Sequence, residues 1–578
     1  MKFKSLIKGR HAILLVLIIA LAFALRFMGA GWGLQYNGIQ KVNPHYDEGL
    51  YSVNFSKEID LKKMDFISES AQKDGGSLMY YLWAVNAWFF KTVGLLGKMP
   101  AQIDNFGQDY SDYIYYSRLL MVLIDVLSVA LMFLIVKKIT GNKNAALFAA
   151  FIFAIIPYEI MHSNYMRPHI LVNFFVVLII YLSLFIYERK KIGLYILTGL
   201  AVGLCAAARY TFIVTAVIPV LFFYWHRFST QKPGTFAQVV SVLFNYRLWV
   251  MALFILIGLI IGNPVWVFDT QAAIAGITFQ GETGRDLGGG LWYYLKTIRY
   301  YLFRYVLWII PAGTFLLWII FYPAWIYSLF LKKYLKYLIP LTIFSLVFFF
   351  PMIASYPIEA IRAALPLFPV FAIISGIALS HFYEKYAARK TVKYLFIGII
   401  SFISLSTTVF SFSMARAMGD RSKDAYIQAA TYFQNHTEKK QLNIALVAGG
   451  YDIFILPNLY YTLNSVPGKK FNFYDGNFEQ YIPYRNYDGY INYSKIKNDS
   501  IDYLMICNID YCGIEPTKAI IENLTKNNDF VLEKEFKKDI CFYGLCYDYS
   551  YAPHDFRYPF QTFELLKANN KRKKEVVH

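Results

Sequence analysis

Two adjacent carboxylates, Asp47 and Glu48, stand in the string NPHYDEGLYS, residues 43–52. A carboxylate in a partly desolvated cleft holds its proton more readily and can serve as a general base near neutral pH. The pattern that follows, Leu50, Val53 and Ile59, reads as an amphipathic helix and gives Asp47 a plainer alternative role as its N-cap. The second set is basic: Lys73, Arg118, Arg167, Arg209 and Arg362. Each lies near the end of an apolar run, on the side where the positive-inside bias predicts few cations. Cations placed against that bias suit an anion, although singly each also reads as a side chain snorkelling to headgroups. Taken together, a base and a cationic cradle fit transfer of a group from a phosphate to a hydroxyl. The base takes the hydroxyl proton. The departing phosphate is already a stable anion, so it needs cations or helix N-termini and no general acid.

The elements that must position these residues are membrane helices. Of 578 residues 57% are hydrophobic, 19% aromatic and only 16% charged, and the mean hydropathy is +0.39. A soluble chain of this length needs far more polar surface. The net charge of +19 sits in short runs between apolar stretches, which excludes a nucleic-acid stripe. Apolar runs long enough to span a bilayer fall near 12–28, 118–136, 145–161, 169–187, 192–208, 210–225, 248–266, 309–331, 337–352, 364–381 and 393–412. Basic segments at 2–10, 137–143, 188–191, 226–232, 332–336 and 385–393 fall on one side and mark the cytoplasmic face. The first run follows a basic stretch and reads as a retained signal-anchor. The stretch 78–96 breaks this parity if it crosses. Its Tyr and Trp content places it along the outer interface, inside a long external loop spanning 29–117.

The expected fold class is an α-helical polytopic membrane protein of about 11 spans with a C-terminal extracytoplasmic α/β domain. The expected domains are a transmembrane catalytic domain over 1–412 and the outer domain over 413–578. In the latter, 442–449 and 501–507 read as buried strands, and Ser422–Asn435 and Thr517–Lys526 as helices. Four cysteines lie there: Cys507, Cys512, Cys541 and Cys546. An even count outside the cell permits two disulfides in three connectivities, and a zinc site is the rival reading. Cys205, in an expected span, reads as packing. The Gly-rich stretch GETGRDLGGG, within a connection over 267–300, lacks the strand and Lys-Ser/Thr of a phosphate loop and reads as a flexible loop over the site.

An Asp-Glu pair after the first span resembles the dolichyl-phosphate-mannose protein mannosyltransferases and the bacterial lipid A aminoarabinose transferases, both of the GT-C superfamily. KDGGSLMYYLWAVNAWFF (73–90), the second and third spans (117–157), MRPHILVNFF (166–175), LTGLAVGLCAAARYTF (197–212) and IEAIRAALPLFPV (358–370) are similar to strings of that group. The resemblance covers roughly residues 10–410 and rests on the ordered set. It implies that Asp47 is the catalytic carboxylate with Glu48 beside it, and that Arg118 and Lys73 contact the carrier phosphate or order the site. Departures are Asp74, Gly75 and Gly76 in place of prolines, His169 where an Asp follows Arg-Pro, and Arg209 where a Lys is common. The implied reaction is inverting transfer of a sugar from a polyprenyl-phosphate donor, without a cofactor or metal. A divalent metal is the alternative, as in oligosaccharide-transferring relatives. Expected partners are the lipid-linked donor, the bilayer and an acceptor protein, lipid or glycan, with no nucleic acid. The expected location is the plasma membrane, with the C-terminal domain outside. A transporter or flippase of a lipid-linked sugar is the rival class; it predicts midplane charges and paired halves, whereas in this sequence the charges gather at outer helix ends and no paired halves are found.

Overall fold

The computed structural model describes residues 9–39, 48–59, 76–103, 107–189, 191–230, 244–285, 305–348, 361–447, 462–473, 501–507, 530–548, 558–560 and 562–569. Asp47, Lys73, Cys512 and the expected helix Thr517–Lys526 lie outside them. Contacts divide the chain into two compact units. The first comprises Met1–Ala30, Tyr51–Gln102 and Tyr113–Ala415; the second comprises Gly31–Leu50, Ile103–Asp112 and Arg416–His578.

Every expected apolar run carries a helix. Among the described residues, six helices are long and apolar enough to cross a membrane: Arg10–Gly29, Gln108–Thr140, His169–Ile186, Val306–Ser328, Leu367–Tyr386 and Lys390–Gly419. Shorter apolar helices at Lys143–Ala154, Ile192–Ala208, Tyr210–Trp225, Tyr246–Gly262 and Leu335–Phe348 occupy the remaining runs. Leu253, Leu256 and Ile261 on one helix, and Leu395, Phe402 and Leu405 on another, are exposed. Apolar exposure on this scale belongs against lipid, and the chain is an integral membrane protein.

Polar contacts sort the helix ends. His11 meets Asn144 at 3.2 Å, Lys138 meets Glu188 at 2.6 Å, and the Asn142 amide donates to Glu384 at 2.7 Å. All six residues flank or belong to segments that share one side in the sequence reading. That side is one end of the bundle.

Three details differ from the sequence expectation. The run 145–161 is two helices, because Pro157 lacks an N–H and its ring crowds the preceding turn; Lys143–Ala154 stops and Pro157–His162 restarts. Stopping inside a bilayer leaves carbonyls to satisfy. Arg26 donates to the Ala154 carbonyl at 2.9 Å and the Ser411 hydroxyl to that of Ile155 at 2.7 Å. The run 309–331 is also broken, at Phe315, whose φ is +52°. Residues 270–285, expected within a flexible loop, form the helix Thr270–Arg285. The Asp269 side chain starts it by accepting from the Ala272 N–H at 3.0 Å. The remainder of that connection, 286–300, lies outside the described residues.

The helix Gln108–Thr140 begins ten residues before Arg118, within the expected external loop 29–117. Its first turns, Tyr110, Tyr113 and Ile114, are buried and amphipathic rather than apolar. Leu78–Thr92 is a helix of 15 residues, too short to cross unaided.

In the second unit, β1 (Gln441–Val447), β2 (Lys470–Phe473), β3 (Tyr503–Cys507), β4 (Phe530–Phe536) and β7 (Phe563–Ala568) form one sheet in the order β2-β1-β3-β7-β4. β1 runs parallel to β2 and β3, while β7 is antiparallel to β3 and β4. The helix Ala425–His436, capped by Asp424, packs Tyr426, Ala429, Ala430 and Phe433 into a core with Ile444, Phe536, Phe563 and Ile39. Each fully buried Phe there contributes roughly 1.5–3 kcal/mol over an exposed one. The remaining strands, β5 (Ile540–Phe542) and β6 (Leu545–Tyr547), make a hairpin clasped by a disulfide between Cys541 and Cys546. Its two-residue tip, Tyr543–Gly544, has positive φ at both positions, as the tight hairpin turn requires.

Asp420 lies just beyond the last apolar helix. Burial alone would push its carboxyl up, but the Ser422 hydroxyl at 2.6 Å, Lys423 and Lys538 hold it below its ordinary value of 3.8. Its contribution to stability is therefore full above that ordinary value and is lost as pH falls through the depressed one. Asp420→Asn is expected to flatten the acid limb of the stability–pH curve, read as thermal unfolding midpoints across acid pH.

Candidate active site

The short helix Pro157–His162 and the turn after it, His162-Ser-Asn-Tyr-Met-Arg-Pro-His169, form the centre of the site in the first unit. Rings fix its path. His162 packs against Tyr158 at 4.3 Å, Tyr165 at 5.0 Å and His169 at 5.7 Å between centroids. The turn is buried throughout, including Ser163, Asn164 and Arg167. Asn164 also lies against Gly29, where an added Cβ would come within 2.6 Å of its amide nitrogen. The first helix can approach so closely only because that residue has no side chain.

Cations converge on this turn. Arg209 Nη1 lies 3.3 Å from His169 Nδ1. A guanidinium only donates, so that ring nitrogen accepts. The charges of Arg209, Arg167 and Arg362 all act on His169, as does His162. Three of the five sequence-derived cations are thus neighbours, supplied by the 163–168 turn, the end of Ile192–Ala208 and the short turn Ile361–Ala364. Such a grouping fits an anion. His169, where the resembled families carry an Asp, turns one acidic position into part of the basic cluster.

Arg118 is fully buried and donates to the Ala30 carbonyl at 3.0 Å, at the C-terminal end of the first helix. That contact orders the helix end through the favourable meeting of a cation with terminal carbonyls. Glu48, a residue of the second unit, is buried at the start of a wide helical turn, Glu48–Val53. Ser52, four residues further on, belongs to the first unit and donates its hydroxyl to the Met166 carbonyl at 2.5 Å. Ser52 is thereby fastened to the cationic turn within the first unit. Cys205 is buried and free, as packing implies. Among the described residues no group of three or more His, Cys, Asp or Glu is placed to hold a metal.

Gly76 packs tightly against the backbone of a neighbouring helix. A Cβ on Gly76 would come within 2.3 Å of the Ala207 carbonyl, at a φ of +153°. Gly76 therefore lies directly against the backbone that precedes Arg209. Gly76→Ala is expected to push this segment off, at about 1–3 kcal/mol. Thermal midpoints and KM for the donor, measured together, check it.

A network that the sequence reading passed over lies below the turn. Arg26 Nε meets Asp125 Oδ2 at 2.5 Å with both side chains buried, and the Asn173 amide donates to Glu159 at 2.6 Å. Arg26 and Asp125 each interrupt an apolar run, a signal that was available.

Residues 114–268 match the family model described as dolichyl-phosphate-mannose-protein mannosyltransferase. No curated protein sequence matches the chain. The apo oligosaccharyltransferase of Archaeoglobus fulgidus is similar at 14% identity and a TM-score of 0.49, over 80% of this chain. The chain covers 64% of that protein's length. ArnT from Cupriavidus metallidurans, solved bound to undecaprenyl phosphate, is similar at 11% identity and a TM-score of 0.47, over 95% of this chain and 97% of that one. The segment that carries Arg118, Arg167, Arg209 and, of the buried network, Asp125, Glu159 and Asn173 has the sequence pattern of the dolichyl-phosphate-mannose-protein mannosyltransferases, the GT-C glycosyltransferase resemblance that the motifs imply.

Proposed function

We propose that this protein is an inverting glycosyltransferase that moves a sugar from a polyprenyl-phosphate donor to an acceptor hydroxyl on the outer membrane face. The observation that carries the reading is that Arg209 contacts His169 and that the charges of Arg167 and Arg362 also reach it, beside a turn to which Ser52 is bonded. The donor's isoprenoid tail lies among the membrane helices, with its phosphate at these cations and Lys73. Arg118 holds the end of the first helix in register with them. Asp47 removes the acceptor's hydroxyl proton as that oxygen attacks the anomeric carbon. The bond from carbon to phosphate oxygen breaks on the opposite face, and the phosphate leaves with the electron pair, its charge met by the arginines. Glu48 sets the position of Asp47. The second unit recognises the acceptor.

Transfer in proteoliposomes from a panel of polyprenyl-phosphate sugars tests this, scored as release of polyprenyl phosphate. Arg118→Ala is expected to reduce transfer at least tenfold, in line with loss of a buried charge-assisted hydrogen bond of about 1.5–3 kcal/mol. Unchanged transfer in both Arg118→Ala and Asp47→Asn defeats the assignment. The buried Arg26–Asp125 pair within spans is a feature that transporters also use. A flippase moves intact labelled donor between leaflets without releasing the phosphate, so the same vesicles distinguish the two.

A further inference from the structure

Four side chains from separate elements meet inside the first unit: Arg26, Asp125, Glu159 and Asn173, each fully buried. The Arg26 guanidinium gives Nε to Asp125 Oδ2, and Nη1 to the Ala22 and Ala154 carbonyls. Glu159 feels the charges of both Asp125 and Arg26, and its Oε1 accepts from the Asn173 amide. Among the described residues Asp125 Oδ1, Glu159 Oε2, Asn173 Oδ1 and Arg26 Nη2 have no protein partner. One cation and two carboxyls share this buried site, and among the described residues a second negative charge there has no cation in contact with it. Burying an unpaired carboxylate is far more costly than burying its acid form. Asp125 takes the guanidinium by direct contact and is the ionised partner. Glu159 is held only by a neutral amide.

We propose that Glu159 keeps its proton and, as a neutral acid bonded to Asn173, positions the turn carrying His162 and Arg167 for the donor phosphate. Glu159 sits in the middle of Pro157–His162, between the Pro157 break and the cationic turn, and Asn173 is one turn into the next helix. Their hydrogen bond clamps the two ends of the turn together. The protonated Oε2 is then a donor in a cluster where, among the described residues, the acceptors Asp125 Oδ1 and Asn173 Oδ1 have no protein partner. This role rests on the glycosyltransferase reading, but the protonation state does not.

The infrared difference spectrum of the full-length protein in lipid nanodiscs, wild type minus Glu159→Gln, tests the protonation. The expected result is one protonated-carboxyl stretch lost in the variant; loss of carboxylate bands instead overturns the proposal. Transfer kinetics test the positioning. Glu159→Gln, which keeps the shape and the neutral charge, is expected within about twofold of wild type. Asn173→Ala and Glu159→Ala are expected to raise KM for the lipid donor about fivefold to tenfold, with kcat less affected, as for loss of one buried hydrogen bond. Equal losses in the Gln and Ala variants overturn it, and so does an unchanged KM in Asn173→Ala. The spectrum is read without any transfer, so a failed transferase reading and a failed protonation are told apart.

Discussion

Asp47→Asn is expected to lower kcat for sugar transfer by about 10²–10⁴-fold, the range for removing a positioned general base, with membrane protein levels unchanged. The substitution is chosen because Asn and Asp are nearly equal as helix N-caps. If Asp47 only starts a helix, Asn serves as well and transfer persists. If Asp47 takes a proton, Asn retains shape and hydrogen bonding but lacks a basic oxygen. The loss then falls on kcat while KM for the lipid donor holds, because the phosphate is bound by other residues. Binding of unreacted donor lipid to the variant, measured separately, is expected to match wild type. A variant with wild-type turnover removes Asp47 from the chemistry.

The second large effect is structural. Gly203→Ile is expected to separate two membrane helices and abolish a folded yield in mild detergent, whereas Gly193→Ile on the same helix leaves it intact. The helices Ile192–Ala208 and Tyr246–Gly262 meet backbone to backbone through Gly199 and Gly203 on one and Gly258 and Gly262 on the other. A Cβ at Gly203 would come within 2.2 Å of the Ile255 carbonyl and 2.7 Å of the Leu259 nitrogen; at Gly193 it meets nothing within 4 Å. With lipid on the outside, no hydrophobic force holds such a pair, and close packing of small residues does. The first added methyl costs about 1–3 kcal/mol, and a branched side chain against backbone cannot be absorbed by a rotamer change. Arg209 stands at the end of the first of these helices, so the damage reaches the cationic turn. Size-exclusion profiles and thermal midpoints of both variants decide it; equal behaviour rejects the argument.

Some of this was readable from the sequence, for definable reasons. Apolar runs announce membrane helices because lipid demands them, and each expected run is helical. Where a run contained Pro157, the stop followed from a missing N–H, yet hydropathy alone treats proline as an ordinary residue. Phe315 gives no such sign, since its left-handed backbone is imposed by its surroundings. Thr270–Arg285 was hidden by glycines that suggested a loop, while Asp269 and the alanines after it pointed to a helix start. At the site, Arg167, Arg209 and Arg362 were separable from other cations by their place at helix ends, and the fold brings those three together. Arg26 and Asp125 were equally visible as charges within apolar runs. Their pairing was not, because it joins residues 99 positions apart. The Cys541–Cys546 bond is one of several pairings that spacing permitted, and the hairpin register selected it.

The position of β7 has a consequence for biosynthesis. It lies between β3 and β4, although it is the last strand in order of translation. Until Phe563–Ala568 emerges, Leu504, Met505 and Ile506 of β3 present a bare hydrogen-bonding border to any neighbouring polypeptide. A ribosome that pauses in this interval therefore leaves an adhesive edge exposed, and newly made copies at high expression are most at risk of sticking to one another then.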